Sequence, residues 1–316
     1  MNRATITEPV TITGYDLWGF RKTSAVLQPA AWGAGITFKV RDHVIPYDIR
    51  HMYGVRGIAG ARYVVASEYP DTNLTGEIGE GYQVRVVEHL AAALHFAGVT
   101  DVTVVLEGGK DHASVPQDGP GIRPQYECIV ARREDTGVRA CDIRANGVGN
   151  YSFYNERVKR DTTIKVEPCE RLEVKVLAAR QPDLVDLREQ PLHVTDVYAQ
   201  RDGIIDARPL ARIAKWPVFA VWAAARCVGY HGITEQNYVL CKPWDSRDDI
   251  INKMLPHYRA GANEFLGHAV IDFVGELAAL GGPVRACFTL ENSNHITRVR
   301  ALKKFVKEGV LRAVDG

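Results

Sequence analysis

The strongest constraint on the fold of this 316-residue chain is a pattern that occurs twice: an apolar helix, a glycine stop and a strand that ends in Leu-Glu. In the first copy, apolar residues recur at helical spacing over 84–97, Gly98 follows, and the next strand ends at Glu107. In the second copy, the helix covers 263–280 and the strand leads to Glu291. A repeated unit of this kind predicts two lobes of similar topology that pack together.

The repeat also sets the expected division of the chain. We place the boundary near residue 138, after the loop at 119–121, so that the first lobe is 1–138 and the second is 139–316. Strands are predicted where residues alternate or form short apolar runs, at 5–13, 35–40, 162–166 and 172–177. The stretch 181–206 is polar and irregular, and it is predicted to be either a functional insertion or a surface loop.

Composition and charge exclude several classes of protein. Hydrophobic residues make up 46% of the chain and charged residues 24%, which is typical of a globular core and excludes wholesale disorder. The formal net charge of +1 gives no broad attraction for a polyanion, so nucleic acid is not expected as a partner. The sequence has neither an apolar run of about 18 to 20 residues nor a secretion-signal pattern, so we expect no transmembrane segment and a cytoplasmic location.

The cysteines do not form a recognisable pattern. All six are scattered, without a Cys-x-x-Cys pair: Cys128, Cys141, Cys169, Cys227, Cys241 and Cys287. This spacing fits neither a disulfide framework nor a thiolate zinc site. We expect reduced thiols that are mostly buried.

Three polar residues share one face of the second predicted helix. His268 and Asp272 are four residues apart, and Glu276 lies one turn further along. For such a set alone, a solvated helix face is the more common explanation. The alternative is that these side chains face a cleft.

The first predicted helix carries Glu88-His89 inside an otherwise apolar run. His89 is either a hydrogen-bonded, half-buried histidine or a third partner of His268 and Asp272, if the two repeated helices face one another. Two imidazoles and one carboxylate with an open fourth position are what a catalytic zinc site uses. In that case Glu88 is placed to act as a base toward water activated by the metal.

A third histidine follows the second repeated strand, in the polar segment Glu291-Asn292-Ser293-Asn294-His295. His295 is a candidate acid if this segment reaches over a neighbouring cleft; otherwise it is a surface residue. Other motifs are missing. The sequence has no phosphate-binding Gly-x-x-x-x-Gly-Lys loop, no dinucleotide-binding Gly-x-Gly-x-x-Gly after a strand, and no Gly-x-Ser-x-Gly.

The motifs around these residues resemble one known family, and the resemblance covers nearly the whole chain. The matching segments are Val87-Glu88-His89-Leu90-x-Ala92-Ala93-Leu94, Ala97-Gly98-Val99-x-Asp101, Val115-Pro116-x-Asp118-Gly119 and Asn263-Glu264-Phe265-x-x-His268-x-x-x-Asp272-x-x-Gly275-Glu276-Leu277. They are similar to the zinc-dependent UDP-3-O-acyl-N-acetylglucosamine deacetylases (LpxC) of lipid A biosynthesis. The resemblance implies an α+β fold of two lobes, each a β-sheet with two helices, in which the helices of both lobes pack between the sheets.

The resemblance also implies a role for each polar residue singled out above. It implies Zn²⁺ as the cofactor, with His89, His268 and Asp272 as its ligands, Glu88 as general base, His295 as the acid or electrostatic partner of the oxyanion and leaving amine, and Glu276 as the carboxylate that orients His295.

The chain departs from the family pattern at several positions. The family has a lysine that contacts the substrate diphosphate directly after the first histidine of the second motif, and here that residue is Ala269. The family's Ala-Arg-Thr-Phe segment, whose threonine assists the oxyanion, matches 216–219, where Val218 provides no hydroxyl. Trp18 replaces a histidine in the first loop, and the segment after His295 is shorter. These differences predict retained chemistry with altered substrate recognition.

The sequence therefore predicts a zinc-dependent amide hydrolase that removes an N-acyl group, most directly N-acetyl, from a small-molecule substrate. We favour a 2-amino-sugar-containing or nucleoside-linked substrate, because Ala269 lacks the charge that a diphosphate would attract. One alternative is the standard UDP-3-O-acyl-N-acetylglucosamine deacetylase of lipid A biosynthesis. A second is a non-catalytic binding module with the same fold, which need not hold stoichiometric zinc.

Overall fold

A computed structural model describes residues 2–15, 22–56, 62–67, 83–107, 112–116, 121–155, 160–179, 190–212, 216–227 and 233–314. Four features named above lie outside this part of the chain: Trp18, residues 117–120, residues 180–189 of the predicted insertion, and the side chain of Val218. The architecture is α+β with two lobes, as predicted. Among the described residues, no helix combines the length and apolarity needed to cross a bilayer.

The first half of the chain contains mostly strands. They are β1 (Asn2–Ile6), β2 (Val10–Tyr15), β3 (Lys22–Pro29), β4 (Ile36–Val40), β5 (His43–Pro46), β6 (Met52–Arg56), β7 (Arg62–Ser67), β8 (Gln83–Arg85), β9 (Val102–Leu106), β10 (His112–Ser114) and β11 (Arg133–Arg139). The helices of this half are α1 (Glu88–Ala97) and α2 (Arg123–Val130).

The second half contains more helix. Its strands are β12 (Asp142–Ala145), β13 (Gly149–Asn155), β14 (Arg160–Glu167), β15 (Leu172–Ala179), β16 (Leu192–Val194), β17 (Leu210–Arg212), β18 (Val239–Cys241), β19 (Val284–Ser293) and β20 (Leu311–Val314). Its helices are α3 (Trp216–Cys227), α4 (Arg247–Lys253), α5 (Pro256–Arg259), α6 (Glu264–Ala278) and α7 (His295–Lys307).

Each lobe is built on one larger sheet whose inner face is apolar. In the first lobe, the strand order is β2-β3-β9-β4-β5, and Leu27 and Phe38 lie on either side of Val104. In the second lobe, β19 pairs with β14, β12 and β15, and Val174 lies beside Phe288. All of these side chains are fully buried, because period-two alternation turns the same face of each strand toward the core.

The helices of the two lobes pack against one another between the sheets. Helix α1 contacts α6, α6 contacts α7 and β15, and α7 touches β6 and β7 of the first lobe as well as β13 of its own. The approach of α1 and α6 is close at Gly275, where an added Cβ would lie 2.0 Å from the carbonyl oxygen of Glu88. The Tyr47 hydroxyl also donates to the Gly275 carbonyl at 2.8 Å. Glycine at this position therefore lets the two lobes meet backbone to backbone.

Several element boundaries differ from the predictions. The helix predicted at 84–97 begins at Glu88, because 84–85 belong to strand β8 and Val86 makes a sharp turn at φ 58°. Its predicted end is confirmed, since Gly98 has φ 69°. The polar segment 291–295 is not a loop: it is the end of β19 and the first residue of α7. In the predicted insertion, residues 192–194 form a short strand.

Two further expectations have different outcomes. None of the six cysteines is in a disulfide, in agreement with the expectation of reduced thiols, but only Cys241 and Cys287 are buried, so the expectation of mostly buried thiols was wrong. The lobe boundary near residue 138 stays a prediction. Residue 138 lies within β11, which pairs with β1 at the start of the chain.

Candidate metal centre and active site

The first part of the site is the start of α1. The left-handed backbone at Val86 is unusual for a β-branched residue, and it turns the chain sharply between β8 and the helix. Glu88 and His89 therefore occupy the first turn of α1, at the junction with the second lobe. Glu88 is almost fully buried, whereas the His89 side chain is 14% exposed.

The second part of the site is one face of α6. His268, Asp272 and Glu276 follow one another at intervals of four residues, so their side chains lie in a row. The described residues of α6 are almost all buried, which excludes the solvated-face explanation of this row. The row faces the start of α1 across the contact at Gly275.

The structure brings the three predicted zinc ligands together. His89 Nε2 lies 3.1 Å from His268 Nε2, and Asp272 Oδ1 lies 3.2 Å and 3.3 Å from those two nitrogens. Such a compact set of two nitrogens and one carboxylate oxygen is suited to a divalent ion of the zinc type. Asp272 Oδ1 is buried and accepts no hydrogen bond of regular geometry, which is consistent with a role as a metal donor.

A backbone carbonyl fixes the orientation of His268. The oxygen of Ala207 accepts a hydrogen bond from His268 Nδ1 at 3.0 Å, so Nδ1 carries the proton and Nε2 is the free donor atom. Burial lowers the pKa of His268 to about 4, so the imidazole is neutral at physiological pH. A neutral imidazole is the form that binds a metal.

Sequence reasoning missed the segment that provides this carbonyl. Arg208 follows Ala207, and its backbone N–H and its Nε both donate to Glu264 Oε1, at 3.0 Å and 2.7 Å. This buried ion pair ties the segment to the start of α6. Residues 207–210 begin with Ala-Arg, as does the family's Ala-Arg-Thr-Phe segment, which was matched above to 216–219. The position of the threonine in this second match is Pro209, which also has no hydroxyl.

Glu88 lies beside this centre, close to Asp272 and His295. Its Oε1 is 4.0 Å from His295 Nε2, and its Oε2 is buried without a hydrogen bond. Burial raises the pKa of Glu88, although the nearby His295 and His89 oppose the shift. A carboxylate with a raised pKa is better able to accept a proton near neutral pH.

His295 faces the same cleft from the first turn of α7. Its Nδ1 donates to Glu276 Oε1 at 2.8 Å, which leaves Nε2 directed toward Glu88 and 3.6 Å from Asp272 Oδ2. Burial lowers the pKa of His295, but the charges of Asp272 and Glu276 outweigh it, so the net shift is upward. Burial would raise the pKa of Asp272, but its contacts with His268, His295, His89 and Arg298 hold it well below its usual range.

Sequence reasoning also missed Arg298, one turn after His295. Its side chain is 3% exposed, and its guanidinium donates to both oxygens of Glu276, at 3.1 Å and 2.8 Å. The available signal was local: an arginine three residues after a candidate catalytic histidine shares its helix face if a helix begins there.

Comparisons with known proteins identify one family across most of the chain. The family model described as UDP-3-O-acyl N-acetylglycosamine deacetylase (LpxC) matches residues 3–307. A UDP-3-O-acyl-N-acetylglucosamine deacetylase of Nitratidesulfovibrio vulgaris is 26% identical over 93% of this chain and 84% of its own length. Proteins of the same name from Thermodesulfovibrio yellowstonii (22% identical; 96% of this chain, 92% of the relative) and Aquifex aeolicus (24%; 96% and 93%) are also similar.

These matches confirm the predicted resemblance and the predicted enzyme class, a deacetylase that hydrolyses an amide. The match to the family model extends from the first strand to the end of α7, so it includes both lobes and every site residue discussed above. The chain therefore belongs to the UDP-3-O-acyl N-acetylglycosamine deacetylase (LpxC) family.

Proposed function

We propose that this protein is a zinc-dependent deacetylase that removes the N-acetyl group from a 2-amino sugar. The observation that carries the proposal is the convergence of His89, His268 and Asp272 from two distant helices, with Glu88 and His295 close to each other beside Asp272. A site of neutral imidazoles and one carboxylate would hold Zn²⁺. When bound, the ion supplies Lewis acidity, which polarises the amide carbonyl and makes water more acidic.

The protein side chains handle the protons. Glu88, whose pKa is raised by burial, accepts the proton of the attacking water. His295, whose pKa is raised, donates through Nε2 to the leaving amine and opposes the negative charge that develops on the carbonyl oxygen. Glu276 holds His295 Nδ1 and so keeps Nε2 directed into the cleft.

The unit β17-α3-β18 is a candidate surface for the apolar part of the substrate. Strand β17 starts three residues after Ala207, and it pairs in parallel with β18, to which it is linked through helix α3. Phe219 of α3 stacks edgewise on Trp244, whose side chain is 59% exposed. A partly exposed aromatic surface is suited to an acyl chain, because burial of apolar area is the main source of affinity for such a chain.

Two substrates compete within this reaction class. We infer UDP-3-O-acyl-N-acetylglucosamine as the first substrate to test, because the relatives described above carry it in their names. Ala269, next to His268, favours the rival, an N-acetyl amino sugar without a recognised diphosphate. The two candidates are distinguished by kcat/KM, measured for UDP-3-O-acyl-N-acetylglucosamine and for shorter N-acetyl sugars. The true substrate must give the higher kcat/KM.

The Glu88→Gln variant tests the reaction. It keeps the shape of the side chain but removes the base, so kcat should fall about 10²- to 10⁴-fold. Zinc bound per chain should stay at the wild-type value, because Glu88 is not one of the proposed ligands. A variant with wild-type kcat would refute the role of Glu88, and a wild-type protein without stoichiometric zinc would favour the non-catalytic binding module.

A further inference from the structure

Arg298 places a buried cation in the middle of the site. The first turn of α7 is fixed by a capping box, in which the Asn294 side chain accepts from the Thr297 backbone N–H and the Thr297 hydroxyl accepts from the Asn294 backbone N–H. Because His295 and Arg298 are three residues apart on this turn, their side chains leave the same face of the helix. The capping box therefore fixes both side chains relative to α6.

The guanidinium of Arg298 contacts three site residues at once. Its Nε donates to both oxygens of Glu276, its Nη2 lies 3.5 Å from Asp272 Oδ2, and the same nitrogen is 3.0 Å from His295 Nδ1. Glu276 is completely buried, so this ion pair is shielded from solvent. Arginine has five N–H donors in a rigid planar fork, which allows one side chain to orient two carboxylates.

The two oxygens of Asp272 have different surroundings. Oδ1 faces His89 and His268, whereas Oδ2 faces His295 Nε2 at 3.6 Å and Arg298 Nη2 at 3.5 Å. Attraction between Arg298 and Oδ2 therefore fixes the rotation of the carboxylate and leaves Oδ1 available to a metal ion. Loss of the cation would free the carboxylate to turn.

The charge balance of the cleft leads to the same conclusion. Three carboxylates, those of Glu88, Asp272 and Glu276, converge in a space that excludes most solvent. Arg298 is always charged and offsets one of these negative charges whatever the protonation state of His295, which is a second cation when it is protonated. Without Arg298, Asp272 and Glu276 would lose their permanent buried counter-charge, which is costly in a medium of low dielectric constant.

We propose that Arg298 is a positioning residue for metal binding: it holds the Asp272 carboxylate so that Oδ1 faces the two histidines, and it shares Glu276 with His295. The inference rests on the metal centre proposed above. A merely structural ion pair would leave zinc affinity and ligand geometry unchanged when Arg298 is replaced. The proposal requires that both depend on Arg298.

The main test compares Arg298→Met with Arg298→Lys. We expect Arg298→Met to weaken zinc binding about 10- to 100-fold in competition with a chromophoric chelator, as is typical when a partner of a metal ligand is lost. The visible absorption of the Co²⁺-substituted protein should change as well, and kcat should fall more than KM rises. Arg298→Lys should recover part of the affinity, because lysine restores the charge without the fork.

Arg3→Met is the matched control. Arg3 forms a bidentate ion pair with the buried Asp101, at 2.9 Å and 2.6 Å, outside the site. This variant should lose stability but keep its zinc dissociation constant within about twofold, since well-separated sites act independently. Wild-type zinc affinity and an unchanged Co²⁺ spectrum in folded Arg298→Met would overturn the proposal.

A second comparison decides the question if Arg298→Met does not fold. The double variant Arg298→Met/Glu276→Gln removes the buried pair together, and it is compared with Glu276→Gln alone. Weaker zinc binding in the double variant supports the role at Asp272, and equal binding refutes it. Wild-type protein that lacks stoichiometric zinc, or His89→Ala that keeps it, would instead refute the proposed metal centre itself.

Discussion

Gly275 is a point at which the two lobes leave no room for a side chain. A Cβ built on this glycine would lie 2.0 Å from the carbonyl oxygen of Glu88 and 2.7 Å from its carbonyl carbon. Contacts of a real Cβ below 3.0 Å are essentially never seen, so in a Gly275→Ala variant α1 and α6 must separate by about 1 Å. The obstacle is backbone, which cannot be relieved by a change of rotamer.

This separation should affect chemistry more than folding. Glu88 and His89 move with α1, while Asp272 stays on α6, so the 3.2 Å between His89 Nε2 and Asp272 Oδ1 must change. A displacement of about 1 Å in a catalytic constellation can lower the rate about 10²-fold, whereas overpacking costs about 1 to 3 kcal/mol of unfolding free energy. We therefore expect kcat/KM to fall about 100-fold in a variant that still folds.

The assay is kcat/KM for N-deacetylation, measured together with zinc content and the midpoint of urea unfolding. Gly147→Ala is the control, because a Cβ at Gly147 meets no atom within 4 Å. The control should match the wild type in all three measurements. A Gly275→Ala protein with wild-type kcat/KM and zinc content would show that the site does not depend on this contact between the lobes.

Two further predictions concern groups outside the metal centre. Burial lowers the pKa of His95 to about 4, so the unfolded chain, with a histidine pKa of about 6.5, binds a proton that the folded protein does not. The unfolding free energy should therefore fall as the pH drops from about 6.5 toward about 4, and His95 should account for about 2 kcal/mol of the fall at pH 5. In urea titrations, the His95→Gln variant should lack this contribution to the pH dependence. Arg208→Met leaves Glu264 buried without its charge partner, so the unfolding free energy in the same assay should fall by about 3 to 5 kcal/mol. A smaller fall in unfolding free energy than that of Arg3→Met would contradict this prediction.

Much of the fold follows from local patterns in the sequence. The glycine stops predicted the helix ends, and Gly98 and Gly281 both adopt the positive φ that such ends require. Alternation predicted the strands at 162–166 and 172–177, which are β14 and β15 with two or more residues added. Period and turn chemistry act within a few residues, so the sequence alone is sufficient to detect them.

Helix α7 was missed although its signals were present. Asn294 and Thr297 form its capping box, and Val299, Leu302 and Phe305 occur at helical spacing and are buried. The polar segment before it favoured a loop, and the helix was not considered. Consequently His295 was predicted to lie in a polar segment after the strand, whereas it is the first residue of α7 and is held there by the capping box.

The remaining site residues could not have been found from local patterns. Ala207 contributes only a backbone carbonyl, and it reaches His268 because the Arg208–Glu264 pair ties two segments that are more than fifty residues apart in sequence. The exposed environments of Cys128 and Cys141 are likewise set by tertiary packing. Such features depend on which surfaces come into contact in the folded protein. The periodicity of apolar residues along the sequence does not contain that information.

The site is a property of the contact between the lobes rather than of either lobe. The first lobe contributes Glu88 and His89 and the second contributes the row on α6, so neither has a complete donor set alone. The Tyr47 hydroxyl bonds to Gly275, and the backbone N–H of Ile49 donates to the carbonyl of Ala279 at 2.9 Å; both bonds cross the same junction. Changes that loosen this junction should therefore reduce stability, metal binding and turnover together. Changes on the outer faces of the two sheets should reduce stability alone, because they leave the distance between α1 and α6 intact.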